Sequence, residues 1–115
     1  MTIRLYGIPN CDTVRKARKW LEAQGIDYAF HDYKKEGVDP DALERWVDRV
    51  SWEVLLNRRG TTFRKLDEGD KAEIDRDKAL TLMEAHPSLI KRPVVEKGQR
   101  VLVGFTQSEW ENALA

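Results

Sequence analysis

The chain has 115 residues, 41% hydrophobic and 35% charged, and its 20 basic and 20 acidic side chains give a formal net charge of zero. This length and composition are those of one folded globular domain and exclude a disordered chain. Because a neutral chain lacks the basic excess of a dedicated duplex binder, we expect no direct nucleic-acid partner. The single cysteine, Cys11, excludes an internal disulfide and a cysteine-clustered zinc module.

The sequence contains no segment that predicts membrane association. No apolar run approaches the ~18 residues that a membrane-spanning helix requires. The N-terminal MTIRLYG also lacks the basic-then-apolar order of a signal peptide. We therefore expect a cytoplasmic protein that is monomeric and has no membrane partner.

The chain opens with a β-α-β pattern. Apolar and polar side chains alternate over residues 2–7, which predicts a strand. A helix follows, with Asn10 as the predicted N-cap, apolar residues at helical spacing and Gly25 placed to close it. The aromatic-rich residues 26–33 predict a second strand. Cys11 therefore falls in the first turn of the first helix.

Helices dominate the middle of the chain. Asp39 and Pro40 form an N-cap and N1 pair before an amphipathic helix. Ser51 is the predicted cap of a short helix, and Asp75 is the predicted cap of a longer one. Residues 61–65, between these two helices, are predicted to be irregular.

The C-terminal part predicts a hairpin followed by a helix. Residues 93–96 and 101–104 are two apolar runs separated by a short glycine-containing turn. The segment Thr106-Gln107-Ser108-Glu109 is a capping box, and Phe105 and Trp110 stand at the hydrophobic-staple positions on either side of it. The last element is therefore predicted to be a short helix that begins at this box.

These elements together predict an α/β fold. The order is β-α-β, then helices, then β-β-α, which favours a four-stranded mixed sheet with helices on its faces. We expect a single domain over residues 1–115, with a helical insert at about 36–90.

The position of Cys11 favours a chemical role over a packing role. A lone cysteine is more often a small buried hydrophobe. Here, however, the unsatisfied N–H groups and the dipole of a helix N-terminus stabilise the thiolate, which is the reactive form. Arg15, one turn further on, is placed to bring a guanidinium to the same face, whereas Lys16 and Lys19 are interpreted as a solvated helix face. The two histidines lack the spacing of a metal site or a triad.

Two segments resemble the ArsC/Spx family: Tyr6-Gly7-Ile8-Pro9-Asn10-Cys11-Asp12-Thr13 and Lys91-Arg92-Pro93-Val94-Val95. Gly104-Phe105-Thr106 closes the same pattern, so the resemblance covers essentially the whole chain. Within the family the chain is most similar to the YffB branch of small, single-cysteine bacterial proteins. The resemblance implies a thioredoxin/glutaredoxin-like fold, a nucleophilic Cys11 and a cis Pro93 beside it. The residues alone leave the isomer of the Arg92–Pro93 bond open.

The arginines that surround arsenate in the reducing members of this family are only partly present. Arg92 matches one of them. At the second position this chain has Asn57, with Arg58 and Arg59 just beyond, and near the third it has Gly104. These departures weaken the implication of arsenate reduction.

The resemblance implies a monothiol oxidoreductase that uses glutathione. Cys11 would attack a disulfide, and an external thiol would resolve the mixed disulfide. Glutathione is the expected co-substrate, with no tightly bound cofactor. By analogy with glutaredoxins, its carboxylates suit an arginine, and the strand edge after the cis proline would hydrogen-bond its backbone. The candidate catalytic residue is Cys11, and the candidate substrate-binding residues are Asn10, Thr13, Arg15, Arg92 and Pro93.

Two alternatives from the same resemblance are kept. The first is an arsenate reductase that depends on external glutathione and glutaredoxin. The second is a non-enzymatic, Spx-like module that binds RNA polymerase and in which Cys11 is vestigial. Spx-type regulators use a Cys-x-x-Cys switch, and Val14 at the second cysteine position removes that switch from this chain.

Overall fold

The computed structural model describes residues 2–114 and divides the chain into two compact units. One unit comprises the residues up to Glu36 together with those from Arg92 onward, and the other is Gly37–Lys91. The second unit covers the segment that the sequence predicts as a helical insert. No helix among the described residues is long and apolar enough to cross a membrane.

The elements follow the predicted order. In the first unit the chain forms β1 (Ile3–Gly7), α1 (Asp12–Ala23), β2 (Tyr28–Asp32) and α2 (Tyr33–Glu36). The second unit contains α3 (Pro40–Val50), α4 (Trp52–Leu55), α5 (Thr61–Arg64), α6 (Glu68–Lys71), α7 (Arg76–Ala85) and a 3₁₀ turn (Pro87–Leu89). The chain then returns to the first unit with β3 (Val94–Lys97), β4 (Arg100–Val103) and α8 (Gln107–Leu114).

The four strands form one mixed sheet in the order β2-β1-β3-β4. Strand β1 runs parallel to β2 and antiparallel to β3, and β3 pairs antiparallel with β4. In this register Leu5 lies opposite both Phe30 and Val95. The predicted α/β fold with a four-stranded mixed sheet is confirmed.

The core of the first unit lies between one face of the sheet and helices α1 and α8. Its buried members are Ile3, Leu5, Val14, Ala17, Trp20, Leu21, Val95, Trp110 and Leu114. The predicted staple is confirmed, because the rings of Phe105 and Trp110 are 4.8 Å apart in an edge-to-face arrangement. The indole Nε1 of Trp110 also donates a 3.1 Å hydrogen bond to the carbonyl of Gly104.

A glycine at the end of β1 allows α1 to pack closely against the strand. A Cβ built on Gly7 would lie 2.9 Å from Cγ2 of Val14. Val14 is fully buried and β-branched, so it has little freedom to move aside. Gly7 therefore fixes how closely the loop that carries Cys11 approaches the sheet.

Helix α1 begins one residue later than predicted. Its N-cap is Cys11, with φ −138° and ψ 127°, and not Asn10. The prediction of Asn10 followed residue preference, but the Cys11 carbonyl accepts the first helical hydrogen bond, from the N–H of Arg15 at 2.9 Å. The predicted C-terminus is confirmed: Gly25 has φ +67°, and the N–H of Ile26 returns to the carbonyl of Leu21, which is the Schellman pattern.

The capping residues predicted in the second unit are confirmed. Asp39, Ser51 and Asp75 each accept a hydrogen bond from a backbone N–H in the first turn of the following helix. Helix α3 packs against α4 and α7. Arg76 of α7 forms a 2.6 Å ion pair with Asp48 of α3, which links these two helices at their surface.

Three single-turn helices were not predicted. Residues 61–65 were expected to be irregular, yet Thr61–Arg64 form α5. The second strand was expected to reach residue 33, yet it ends at Asp32 and α2 begins at Tyr33. Helix α6 has no counterpart in the prediction. A four-residue helix is too short to show hydrophobic periodicity, so the pattern that reveals longer helices is absent here.

The cap of α3 gives a first testable prediction. The Asp39 side chain accepts the N–H of Asp41 at 3.0 Å, so Asp39→Ala should lower the free energy of unfolding by about 1 kcal/mol. Asp67 provides a matched control, because it is the N-cap of α6 but makes no capping bond within residues 2–114. Urea unfolding should show a clearly smaller loss for Asp67→Ala, and equal losses would contradict the assignment.

Candidate functional site

Cys11 lies at the start of α1, where its surroundings suit a reactive thiol. It is partly buried, and its side chain packs against the core of the first unit. Among residues 2–114 the side chain has no capping hydrogen-bond partner. An N-cap side chain lies beside the unsatisfied N–H groups and the positive end of the helix dipole. Cys11 therefore stands at the N-terminus of a helix of twelve residues.

Arg15 is held by the two sequence neighbours of Cys11. Its guanidinium donates to Oδ1 of Asn10 at 3.1 Å and forms a close ion pair with Asp12. The Arg15 side chain is 50% exposed, so it stays open to a ligand. Thr13 is exposed in the first turn of α1. Of the residues predicted around the sulfur, the structure thus brings Asn10 and Arg15 into direct contact with each other.

Arg92 and Tyr33 form a second part of the site. Tyr33 is only 1% exposed, and its hydroxyl is hydrogen bonded to the Arg92 side chain. Burial raises the pKa of Tyr33 well above its ordinary value, an effect that the Arg92 guanidinium opposes. Negative charge on Cys11 also raises the pKa of Tyr33. Tyr33 therefore lies within electrostatic reach of both Arg92 and Cys11.

Tyr33 is the residue that sequence analysis missed. It was interpreted as the last residue of an aromatic strand, where its hydroxyl had no assigned role. The available signal was Asp32, an N-cap residue type, whose carboxylate accepts the N–H groups of Lys34 and Lys35 at 3.0 and 3.2 Å. The Asp32 cap ends the strand and begins α2, in which the Tyr33 side chain is buried.

The Arg92–Pro93 peptide bond is cis, as the family resemblance implies. The expected strand edge after it is wrong, however. Strand β3 pairs with β1 on one side and β4 on the other, and the Pro93 carbonyl accepts the N–H of Gly104 at 2.8 Å. A bound peptide backbone therefore cannot add to β3 as a further strand.

The buried phenol of Tyr33 gives a prediction for stability at high pH. Because its pKa is raised in the folded state, the unfolded chain loses the phenolic proton at a lower pH than the folded chain. The stabilisation is therefore complete below the ordinary pKa of 10.0 and is lost as the pH rises above it. Urea unfolding between about pH 9 and about pH 11 should show a steeper loss of stability for wild type than for Tyr33→Phe.

The comparison of these two proteins isolates Tyr33. Burial also raises the pKa of Tyr6, but Tyr6 is present in both proteins and its effect cancels. Parallel stability curves for wild type and Tyr33→Phe across this pH range would contradict the assignment.

Cys11, Tyr33 and Arg92 all lie within the segment that a protein-family model matches. The model of the ArsC family matches residues 6–113. The chain belongs to the ArsC family. This ArsC-family chain is similar to a solved structure described as YffB protein, with 54% identity, a TM-score of 0.96 and coverage of 99% of this chain and 100% of that one.

Two further relatives cover nearly the same length. An arsenate reductase (ArsC) related protein from Brucella melitensis is 54% identical, with a TM-score of 0.78 and coverage of 97% of this chain and 93% of that one. An uncharacterized protein from Haemophilus influenzae is 42% identical over 113 residues, covering 98% of this chain and 99% of the other.

Another relative of this chain is described as a transcriptional regulator. The global transcriptional regulator Spx of Streptococcus mutans is 28% identical to this ArsC-family chain over 109 residues, covering 93% of this chain and 79% of the regulator. The relatives of this chain therefore include both an arsenate reductase related protein and an Spx regulator.

Proposed function

We propose that the protein is a monothiol oxidoreductase that reduces mixed disulfides through Cys11, with glutathione as the second thiol. The observation that carries the proposal is the placement of the sole cysteine at the N-cap of α1, within electrostatic reach of Tyr33, whose hydroxyl is hydrogen bonded to Arg92. A thiolate is stabilised in such a position and is the nucleophile in disulfide exchange.

The reaction balances with one thiol in the chain and one outside it. The Cys11 thiolate attacks the glutathione sulfur of a mixed disulfide, and the substrate thiolate leaves. The sulfur–sulfur bond now joins Cys11 to glutathione. A second glutathione thiolate attacks the glutathione sulfur of this bond, which releases oxidised glutathione and restores the Cys11 thiolate. In sum, one mixed disulfide and one glutathione thiol give one substrate thiol and oxidised glutathione.

Arg92 is the strongest candidate for binding glutathione. Glutathione carries two carboxylates, and a guanidinium binds a carboxylate through two parallel hydrogen bonds. The Arg92 side chain is partly exposed and is anchored by the Tyr33 hydroxyl, so little of its freedom is lost on binding. Arg15, four residues after Cys11 in the sequence, is the second candidate.

Substitution of Arg92 tests this assignment. We expect Arg92→Gln to raise the KM for glutathione by about tenfold while leaving kcat nearly unchanged, since the contact is made equally in the ground and transition states. Arg100, an exposed arginine of β4, provides a matched control with the same loss of charge. An unchanged KM for Arg92→Gln, or an equal increase for Arg100→Gln, would remove Arg92 from the binding site.

Arsenate reduction is the first competing function. Arg92 matches one family arginine, but the other two positions hold residues with local structural roles. The Asn57 side chain accepts the N–H of Arg59 at 3.1 Å, and Gly104 adopts φ +76°. Neither can supply a guanidinium. Arsenite formation in a coupled assay with glutathione and glutaredoxin tests this function, and a rate equal to that without protein would exclude it.

Binding to RNA polymerase is the second competing function. The similarity to Spx regulators motivates it, while Val14 stands where the Cys-x-x-Cys switch needs its second cysteine. Affinity capture with wild type and Cys11→Ser separates the two functions. Equal capture of polymerase by both proteins would support the binding module, whereas glutathione adducts lost only in Cys11→Ser would support the oxidoreductase.

A further inference from the structure

A surface cavity in the second unit is lined by none of the residues assigned to the candidate site above. Its volume is about 390 Å³, which falls in the range of small-molecule sites. All of its lining residues belong to the unit Gly37–Lys91. They are Glu53, Leu56, Asn57, Arg58, Arg59 and Lys91.

The lining of this cavity is strongly positive. The lining contains three cations, Arg58, Arg59 and Lys91, and one carboxylate, Glu53, so its formal charge is +2. Within residues 2–114 none of the three cations forms an ion pair with a carboxylate. The remaining residues together carry a formal charge of −2, because the net charge of the whole chain is zero. The cavity therefore concentrates uncompensated positive charge at one concave place.

The backbone beneath these cations is held by several contacts. The N–H of Asn57 donates to the carbonyl of Leu89 at 2.7 Å, and the N–H of Lys91 donates to the carbonyl of Leu55 at 2.9 Å. These bonds join the two segments that carry the cations.

One arginine side chain is also held in place. The guanidinium of Arg58 lies over the ring of Trp52, 5.4 Å from its centroid. A cation held in this way loses less conformational entropy when it binds an anion.

We propose that this cavity binds the phosphate group of a small molecule. A phosphate monoester carries a charge of about −1.5 to −2 at pH 7, which matches the +2 of the lining, whereas a single carboxylate does not. Two arginines and an amide side chain offer the planar donors that phosphate oxygens accept. A concave site of this size with three cations suits a small ligand better than an extended nucleic-acid or acidic protein surface, which needs a longer basic stripe.

Titration with inorganic pyrophosphate, followed by amide chemical shifts, tests the proposal. We expect saturable binding, with shifts around residues 53–59 and 91. The double variant Arg58→Gln/Arg59→Gln should weaken binding by about tenfold. The matched control is Lys16→Gln/Lys19→Gln, which removes the same charge from exposed positions on α1. Arg59→Gln alone should also weaken binding. Because this variant keeps the contact between Arg58 and Trp52, its weaker binding cannot be attributed to the loss of that packing contact.

Several outcomes would overturn the proposal. We would attribute the binding to general charge attraction if pyrophosphate did not saturate the wild-type protein at about 10 mM. Equal weakening of binding by the two double variants would lead to the same conclusion. Equal binding of the dicarboxylate malonate would remove the preference for phosphate. Parallel titrations with inorganic phosphate and ADP distinguish a free phosphate from a nucleotide as the source of the group.

This inference does not depend on the proposed thiol chemistry. Cys11→Ser should bind pyrophosphate with the same affinity as wild type. A loss of binding in Cys11→Ser would overturn the independence of the two sites, while a failure of disulfide reduction would leave the phosphate site unaffected.

Discussion

Replacing Cys11 with Ser should reduce glutathione-dependent disulfide reduction to the uncatalysed background, with a loss of about 10³-fold or more in kcat/KM. The reason is that serine has no thiolate to attack a disulfide, and the chain has no other cysteine to replace it. The measurement is the steady-state rate with a glutathione mixed disulfide as substrate, at several concentrations of glutathione.

The same variant should fold normally, which makes the kinetic result interpretable. The Cys11 side chain makes no capping bond within residues 2–114, and serine is a preferred N-cap residue. We therefore expect the free energy of unfolding of Cys11→Ser to be equal to or slightly above that of wild type. Retained turnover in a folded Cys11→Ser protein would show that the reaction does not proceed through this sulfur.

Among the variants proposed here, Trp110→Ala should cause the largest decrease in the free energy of unfolding, about 3–5 kcal/mol. Trp110 is 1% exposed and makes edge-to-face contacts with Phe105 at 4.8 Å and with Trp20 at 6.0 Å. Its removal leaves a cavity between α8 and the sheet and also breaks the hydrogen bond to Gly104. A domain of this size has a total stability of roughly 5–15 kcal/mol, so the variant should be close to unfolding.

Two further variants serve as comparisons for Trp110→Ala. Trp110→Phe keeps an aromatic ring but loses the hydrogen bond to Gly104, so its loss should be smaller than that of alanine. Val54 is 46% exposed, and Val54→Ala should change the free energy of unfolding by less than about 0.5 kcal/mol. Urea unfolding measures all three. A loss below about 1 kcal/mol for Trp110→Ala would contradict the packing described for α8.

The sequence predicted well those features that depend on neighbouring residues. Asp39, Ser51 and Asp75 cap their helices as expected, because a capping side chain bonds to a backbone only two or three residues away. The Phe105–Trp110 staple is equally local, since both residues flank a single helix start. The fold class could be predicted from the order of the strands and helices, because few arrangements of four strands are compatible with that order.

Arg92 and the cis Pro93 were expected from the family resemblance, but the contacts that join distant residues could not be derived from local sequence patterns. Tyr33 meets Arg92 from a position 59 residues away in the sequence, and no local pattern reports such a contact. Strand β3 becomes central only because β1 pairs with it from the other end of the chain. The N-cap shifted from Asn10 to Cys11 because the loop after Gly7 is set by packing against Val14 and not by capping preference.

Mass spectrometry of the intact protein after incubation with oxidised glutathione tests the central claim most directly. We expect wild type to gain the mass of one glutathionyl group at Cys11, to lose it when reduced glutathione is added, and Cys11→Ser to gain nothing. A Cys11 that forms no adduct in the folded protein, or an adduct that reduced glutathione does not release, would contradict a nucleophile that depends on an external thiol.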